Sequence, residues 1–198
     1  MFRILLVLFF INVSFAQQTD KVDFIKCDAL VAPNHSEKSI SGTVTYEFKV
    51  KKAIDTIKID AINMEFSEVL INGKSVKFKN SGKTLDLFEG FKKGKNKLTF
   101  SYSAKPKQTL YFTGDFSNGT GQIWTQGQGR YTSHWLPSFD DVNEKVIFNI
   151  SVEFDFDIFG ENSIISNGNL DYFEIYPPLS AFPDVWSFQM QKPMSSYL

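Results

Sequence analysis

The stretch SISGTVTYEFKVKK, Ser39 to Lys52, alternates apolar and polar residues with a period of two. Ile40, Val44, Tyr46, Phe48 and Val50 take the even positions, and Thr43, Thr45, Glu47, Lys49 and Lys51 the odd ones. Successive side chains of a strand point to opposite faces, so the stretch predicts a β-strand with one buried and one wet face. Two further runs repeat the pattern. KLTFSYSA aligns Leu98, Phe100, Tyr102 and Ala104. KVIFNISVEFDFDI, Lys145 to Ile158, sets Val146, Phe148, Ile150, Val152, Phe154, Phe156 and Ile158 against Asn149, Ser151, Glu153, Asp155 and Asp157. Turn residues punctuate the runs. Asn72-Gly73 is a hairpin signal, because a tight type I′ turn needs positive φ at both central residues. Asn167-Gly168, Ser81-Gly82 and Lys93-Gly94 mark other turns. No long helical period interrupts the series. The expectation is an all-β fold, an antiparallel β-sandwich or saddle.

The N-terminus reads differently. Arg3 precedes an apolar run from Ile4 to about Val13, and Ser14 and Ala16 supply small residues before Gln17. This predicts a signal peptide over residues 1–16, cleaved before Gln17, and a periplasmic or extracellular location. The run is shorter than the ~20 apolar residues that span a bilayer, so no membrane span is expected. Residues 17–198 then suit one domain. The net charge of −1 gives no reason to expect nucleic acid or an anionic membrane as a partner. Cys27 is the single cysteine, so no intrachain disulfide can form, and a buried apolar role is expected for it.

Metal chemistry finds few ligands: after the leader only His35, His134 and Cys27 are available besides carboxylates, and HExxH is absent. The run from Asp155 half-matches a calcium loop but has Phe159 and Ser166 where ligands are needed. Ser133 and His134 are adjacent and diverge in an extended chain, so a triad with Asp140 or Asp141 is not expected. Those two acids suit backbone bonding in the turn before Val146. Trp124, Tyr131 and Trp135 are either core or a sugar-stacking platform.

One segment does not alternate. WTQGQGRYTSHWLPSFDD, Trp124 to Asp141, concentrates glycines, amides and aromatics. Glycine lets a backbone approach a ligand closely. Gln126 and Gln128, two apart, point the same way in an extended chain and offer donors and acceptors. The pair forms either a polar lip for a peptide or sugar end, or a solvated loop.

The segment resembles the N-terminal β domain of the aminopeptidase N family of zinc metallopeptidases, which includes the leukotriene hydrolase type. That domain carries a TQxE or TQxQ loop, here Thr125-Gln126-Gly127-Gln128. An aromatic-Pro-x-Phe-Asp-(Asp/Glu) turn follows, here Leu136-Pro137-Ser138-Phe139-Asp140-Asp141, and then a K-x-x-F-x-I-x-(Val/Ile) strand, here Lys145 to Val152. VWSFQMQKPMSSYL, Val185 to Leu198, resembles the family's VWxFxxTxPMSTYL junction with the catalytic domain.

The resemblance implies a substrate-binding role for Gln126, Gly127 and Gln128 at the N-terminus of a peptide. The position of Gln128 is commonly Glu in the family, where its charge meets the α-ammonium; an amide accepts the same bond more weakly. Ser133-His134 replaces the usual basic pair, and Val142 the usual Pro. The family's GxMEN motif and its HExxH zinc helix are absent from this sequence. The resemblance therefore implies no catalytic residue and no cofactor in this chain, with zinc in a catalytic domain that follows it. It implies a domain that lines the substrate site of an aminopeptidase and is inactive alone. The alternative is a stand-alone secreted β-sandwich module for a carbohydrate or protein ligand.

Overall fold

The computed structural model describes residues 18–128, 131–154, 163–174 and 183–198. The leader expected over 1–16 and the acidic run at Asp155 and Asp157 lie outside the described residues. The strands are β1 (Val22–Asn34), β2 (Ser39–Val50), β3 (Ile57–Asp60), β4 (Met64–Ile71), β5 (Lys74–Ser75), β6 (Phe78–Asn80) and β7 (Thr84–Leu87). After them come β8 (Gly94–Ala104), β9 (Leu110–Thr113), β10 (Gln122–Thr125), β11 (Ile147–Phe154), β12 (Asn169–Glu174) and β13 (Asp184–Gln189). The fold is all-β, with only short 3-10 turns besides strands among the described residues.

Alternation becomes burial where it was expected. On β2, Ile40, Val44, Tyr46, Phe48 and Val50 are buried, while Thr43, Glu47 and Lys49 are exposed. On β8, Leu98, Phe100, Tyr102 and Ala104 are buried in the same way. The register aligns the two rows, pairing Tyr46 with Leu98 and Val44 with Phe100, so a single apolar face results. Burying each of Phe48, Phe100 and Phe148 contributes about 1.5–3 kcal/mol.

These strands lie in a sheet of order β12-β13-β11-β1-β2-β8-β4-β5. A three-stranded sheet, β3-β7-β6, adds Ile57, Ile59, Leu85 and Leu87 to the same core. The ribbon β9-β10 stands apart as a two-stranded sheet. Asn72 and Gly73 have φ of 53° and 77°, the positive pair that the tight turn between β4 and β5 requires.

Two details differ from the sequence expectation. β1 and β11 run parallel, with Cys27 opposite Phe148 and Val31 opposite Val152. Parallel neighbours need a long connection, and the chain from β2 to β10 supplies it. Along β11, burial fades after Ile150: Val152 and Phe154 are only partly buried. Their alternation continues past the covered part of the sheet.

Candidate functional site

Residues 132–141 have no period because they are enclosed from several sides. Thr132, Ser133, Leu136 and Ser138 are fully buried. Buried tyrosine hydroxyls from the large sheet hold this turn by its carbonyls: Tyr46 donates to Pro137 O at 2.7 Å and Tyr102 to Trp135 O at 2.9 Å. Phe139 inserts between Phe24, at a centroid distance of 4.3 Å, and Tyr46, at 5.5 Å. From β3, Asp60 and Ser138 exchange both backbone hydrogen bonds at 2.9 Å. An unpaired buried carbonyl costs about 1–3 kcal/mol, so each of these donors fixes the turn.

The acids are structural here. Asp140 Oδ2 accepts from Ser133 Oγ at 2.8 Å, and Asp60 Oδ2 accepts from the Asp140 amide at 2.8 Å. Burial, with Asp141 adding to it, raises the Asp60 pKa against the lowering effect of the Asp140 amide. Asp141 bonds the backbone as expected, accepting from the Asn143 amide at 2.9 Å. Asp140 instead reaches back to Ser133.

Glu144, which carried no sequence signal, is nearly buried and accepts the Phe24 N–H at 3.0 Å. That amide sits beside a β-bulge between Phe24 and Lys26, just before β1 begins to pair with β11. The carboxylate supplies the missing acceptor. Burial pushes its pKa up to about 7.

The TQGQ loop leaves β10 beside this turn. Trp124 stacks on Tyr111 across the ribbon at 4.4 Å. Gln126 and Gln128 are exposed, and Gly127 between them is buried, as an extended segment would have it. Thr109 brackets the loop: its carbonyl accepts the Gln126 amide at 2.9 Å, and its hydroxyl donates to Tyr131 O at 2.9 Å. Thr109 does so at φ 69°, a conformation a β-branched residue rarely adopts. Nothing in the sequence around Thr109 signals this.

The loop and the C-terminal segment meet. A Cβ at Gly127 would lie 2.3 Å from Thr132 Oγ1, 2.6 Å from Leu198 O and 2.8 Å from Leu198 N. Thr132 Oγ1 donates to Ser196 O at 2.5 Å, Ser195 Oγ donates to Val142 O at 2.7 Å, and Ser196 Oγ donates to Phe139 O. Val146 and Met194 exchange backbone bonds. The TQGQ loop, the LPSFDD turn and the PMSSYL segment thus form one assembly, with Trp124, Tyr131 and Tyr197 exposed around it.

Other candidates separate. Trp135 is in the core while Trp124 and Tyr131 are exposed, so the three form no platform. Ser133 bonds Asp140, whereas His134 Nε2 lies 2.9 Å from the Gln108 amide nitrogen, so no Ser-His pair exists. Burial lowers the His134 pKa, which favours the neutral ring, the form that can accept from Gln108. Zinc finds no fit. Cys27 is enclosed, with burial raising its thiol to about 12; His35 stacks on Phe116 at 4.5 Å; His134 is engaged as described. Among the described residues, no three His, Cys, Asp or Glu side chains gather to hold a metal. Among them, too, no helix is long and apolar enough to cross a membrane.

The sequence pattern of the peptidase M1 N-terminal domain matches residues 26–198. A probable aminopeptidase 1 from Sulfurisphaera tokodaii is 26% identical over 106 residues, which cover 54% of this chain and 13% of that protein. The crystal structure of an M1 zinc metallopeptidase from Deinococcus radiodurans superposes with a TM-score of 0.75 at 15% identity, over 89% of this chain and 40% of that one. Leukotriene A4 hydrolase from Saccharomyces cerevisiae gives 0.67 at 19% identity, over 90% and 28%. The chain therefore spans well under half the length of each of these relatives.

Proposed function

This chain belongs to the peptidase M1 N-terminal domain family, and from that premise we propose that it lines the substrate end of a zinc aminopeptidase. Gln126, Gly127 and Gln128 are the lip that receives the N-terminal residue of a peptide. The observation that carries this reading is the contact of Gly127 with Leu198 and of Thr132 with Ser196. It sets the exposed amides of Gln126 and Gln128 beside the junction segment, the side on which a catalytic domain would pack.

The chemistry of the lip is recognition. A peptide α-ammonium brings three N–H donors and a charge. The Oε1 atoms of Gln126 and Gln128 accept such donors, and the absence of a side chain at Gly127 lets the loop lie flat against its support. The lip holds no formal charge, so it orients the ammonium with less attraction than a carboxylate would give. The metal that activates water in such an enzyme would be held by the catalytic domain; the residues here bind and orient. A variant of the Deinococcus protein was solved with a Tyr-Ser-Ala substrate, which suits a peptide as ligand. Residues 1–16 are read as an export leader, and the mass of the mature N-terminus tests that.

Trp124, exposed and next to the loop, is the reporter for the main test. A tripeptide with a free N-terminus should change its fluorescence, and the N-acetylated tripeptide should not. Gln126→Ala and Gln128→Ala should abolish the response. Quenching by oligosaccharides but by neither peptide would instead support a carbohydrate-binding module. The chain should not hydrolyse an aminoacyl-anilide, with or without zinc.

A further inference from the structure

The net charge of −1 conceals a strong segregation. Lys74 to Lys97 carries eight lysines against Asp86 and Glu89, a net +6, which leaves −7 for the rest of the chain. The fold adds to this imbalance. The end of β2 and the start of β8 lie side by side, with Val50 bridged to Lys93 and Lys49 directly opposite Lys95. The amides of Lys51 and Lys52 both bond Lys21 O. Lys49, Lys52, Lys92, Lys93, Lys95 and Lys97 are all exposed, and none is within 4.0 Å of a carboxylate among the described residues.

The anions nearby do not neutralise the group. Asp23 pairs with Lys51 at 3.5 Å, the Glu89 carboxylate accepts the Lys77 amide at 3.0 Å, and Glu47 faces Lys97 across the ladder. Like charges directly opposite on neighbouring strands are destabilising, so Lys49 opposite Lys95 works against the fold.

We propose that this lysine-rich end of the domain docks on an anionic lipid surface. Three observations favour a bilayer over a discrete anion. The charges are all lysine, which act as point charges and lack the bidentate fork that selects a single phosphate. The open dish between them, about 310 Å³, is lined by Glu47, Asn72, Lys95, Asn96 and Lys97, so a carboxylate shares it with the lysines and works against a discrete anion. Asn96 spends its amide on the backbone of Lys92 and Gly94 and on Asn72. Finally, the β7–β8 loop leading into the lysines presents Phe88, 48% exposed, with Phe91 half-buried behind it. A polybasic patch with an exposed aromatic suits the headgroup region, where each lysine near the surface strengthens binding about fivefold. The TQGQ loop is anchored at Thr109, beyond the opposite end of β8. The 11 residues of that strand separate the two regions by roughly 33 Å. A docked domain keeps its peptide lip away from the membrane.

The test is co-sedimentation of the full chain with vesicles of phosphatidylcholine alone or with 30% phosphatidylglycerol, at about 50 and 300 mM salt. Binding should need the anionic lipid and weaken at least tenfold at the higher salt, because the attraction is screened. The triple variant Lys52→Gln/Lys93→Gln/Lys95→Gln should bind roughly a hundredfold more weakly, at fivefold per lysine. The control Lys38→Gln/Lys105→Gln/Lys107→Gln, at the opposite end of β2 and β8, should bind like the parent. All three proteins carry the same apolar N-terminal run, so a contribution from it cancels, and unchanged melting temperatures show that the variants fold. Equal binding to neutral vesicles, or equal loss in both triple variants, overturns the proposal. So does retention on heparin without binding to vesicles, which would assign the patch to an acidic polymer.

Discussion

Replacing Gly127 with alanine tests the contact on which the site depends. The added carbon would lie 2.3 Å from Thr132 Oγ1 and below 3.0 Å from two backbone atoms of Leu198. Thr132 cannot turn aside freely, because its hydroxyl is bonded to Ser196 O in a fully buried position. Relief must therefore come from displacing the C-terminal segment. Overpacking of this kind costs about 1–3 kcal/mol, and losing the Thr132 bond adds about 1 kcal/mol. The expected loss is about 2–4 kcal/mol, or roughly 5–15 °C in Tm for a domain of this size. Urea denaturation measures it, and amide exchange at Ser196 to Leu198 shows whether the segment detaches locally. Gln126→Ala, at an exposed neighbour, should stay within about 0.5 kcal/mol of the parent. If Gly127→Ala is equally silent in both measurements, the loop does not rest on the C-terminal segment and the site as described is wrong.

The remaining predictions concern single groups. Tyr46→Phe removes the donor to Pro137 O and should cost about 1–3 kcal/mol in urea denaturation; Tyr102→Phe should cost a similar amount, and the double variant less than the sum, since both hold one turn. Glu144, with its pKa raised from 4.5 to about 7, keeps a proton on folding that the unfolded chain releases. Its stabilisation is full below pH 4.5 and is lost as the pH rises through about 7. Glu144→Gln keeps an acceptor for Phe24 and cannot ionise, so it should raise stability at pH 8 relative to the parent and flatten the slope between pH 5 and 8. A parallel pH profile for parent and variant would refute this. Gln128→Glu gives the lip a charge and should tighten binding of a free-amine peptide about fivefold, with no gain for the acetylated peptide.

What the sequence reveals depends on the range of the interaction. Period-two alternation is local, so β2 and β8 can be read residue by residue, and the Asn72-Gly73 turn follows from its own backbone requirement. The turn at 132–141 has no such signal. Its carbonyls are satisfied by Tyr46 and Tyr102, which lie 91 and 33 residues away. Within the sequence these tyrosines are ordinary apolar members of an alternating strand. The parallel pairing of β1 with β11 is likewise decided by where a long connection returns. The loop was legible through Thr125 to Gln128 as a motif, but its supports at Thr109, Thr132 and Ser196 were not, because each acts through the backbone of a distant segment. Glu144 looked like one acid among many until the bulge at Phe24 gave it a partner. Net charge is silent as well, since −1 says nothing about where the lysines gather.

The most direct measurement is an amide NMR map of the isotope-labelled chain titrated with a free-amine tripeptide and with its acetylated form. The free amine should shift Gln126, Gly127 and Gln128 together with Leu198 and Thr132, leave Lys93 and Lys95 unmoved, and lose its effect on acetylation. Shifts clustered elsewhere, or identical shifts from both peptides, would contradict the assignment of the TQGQ loop as a peptide N-terminus lip.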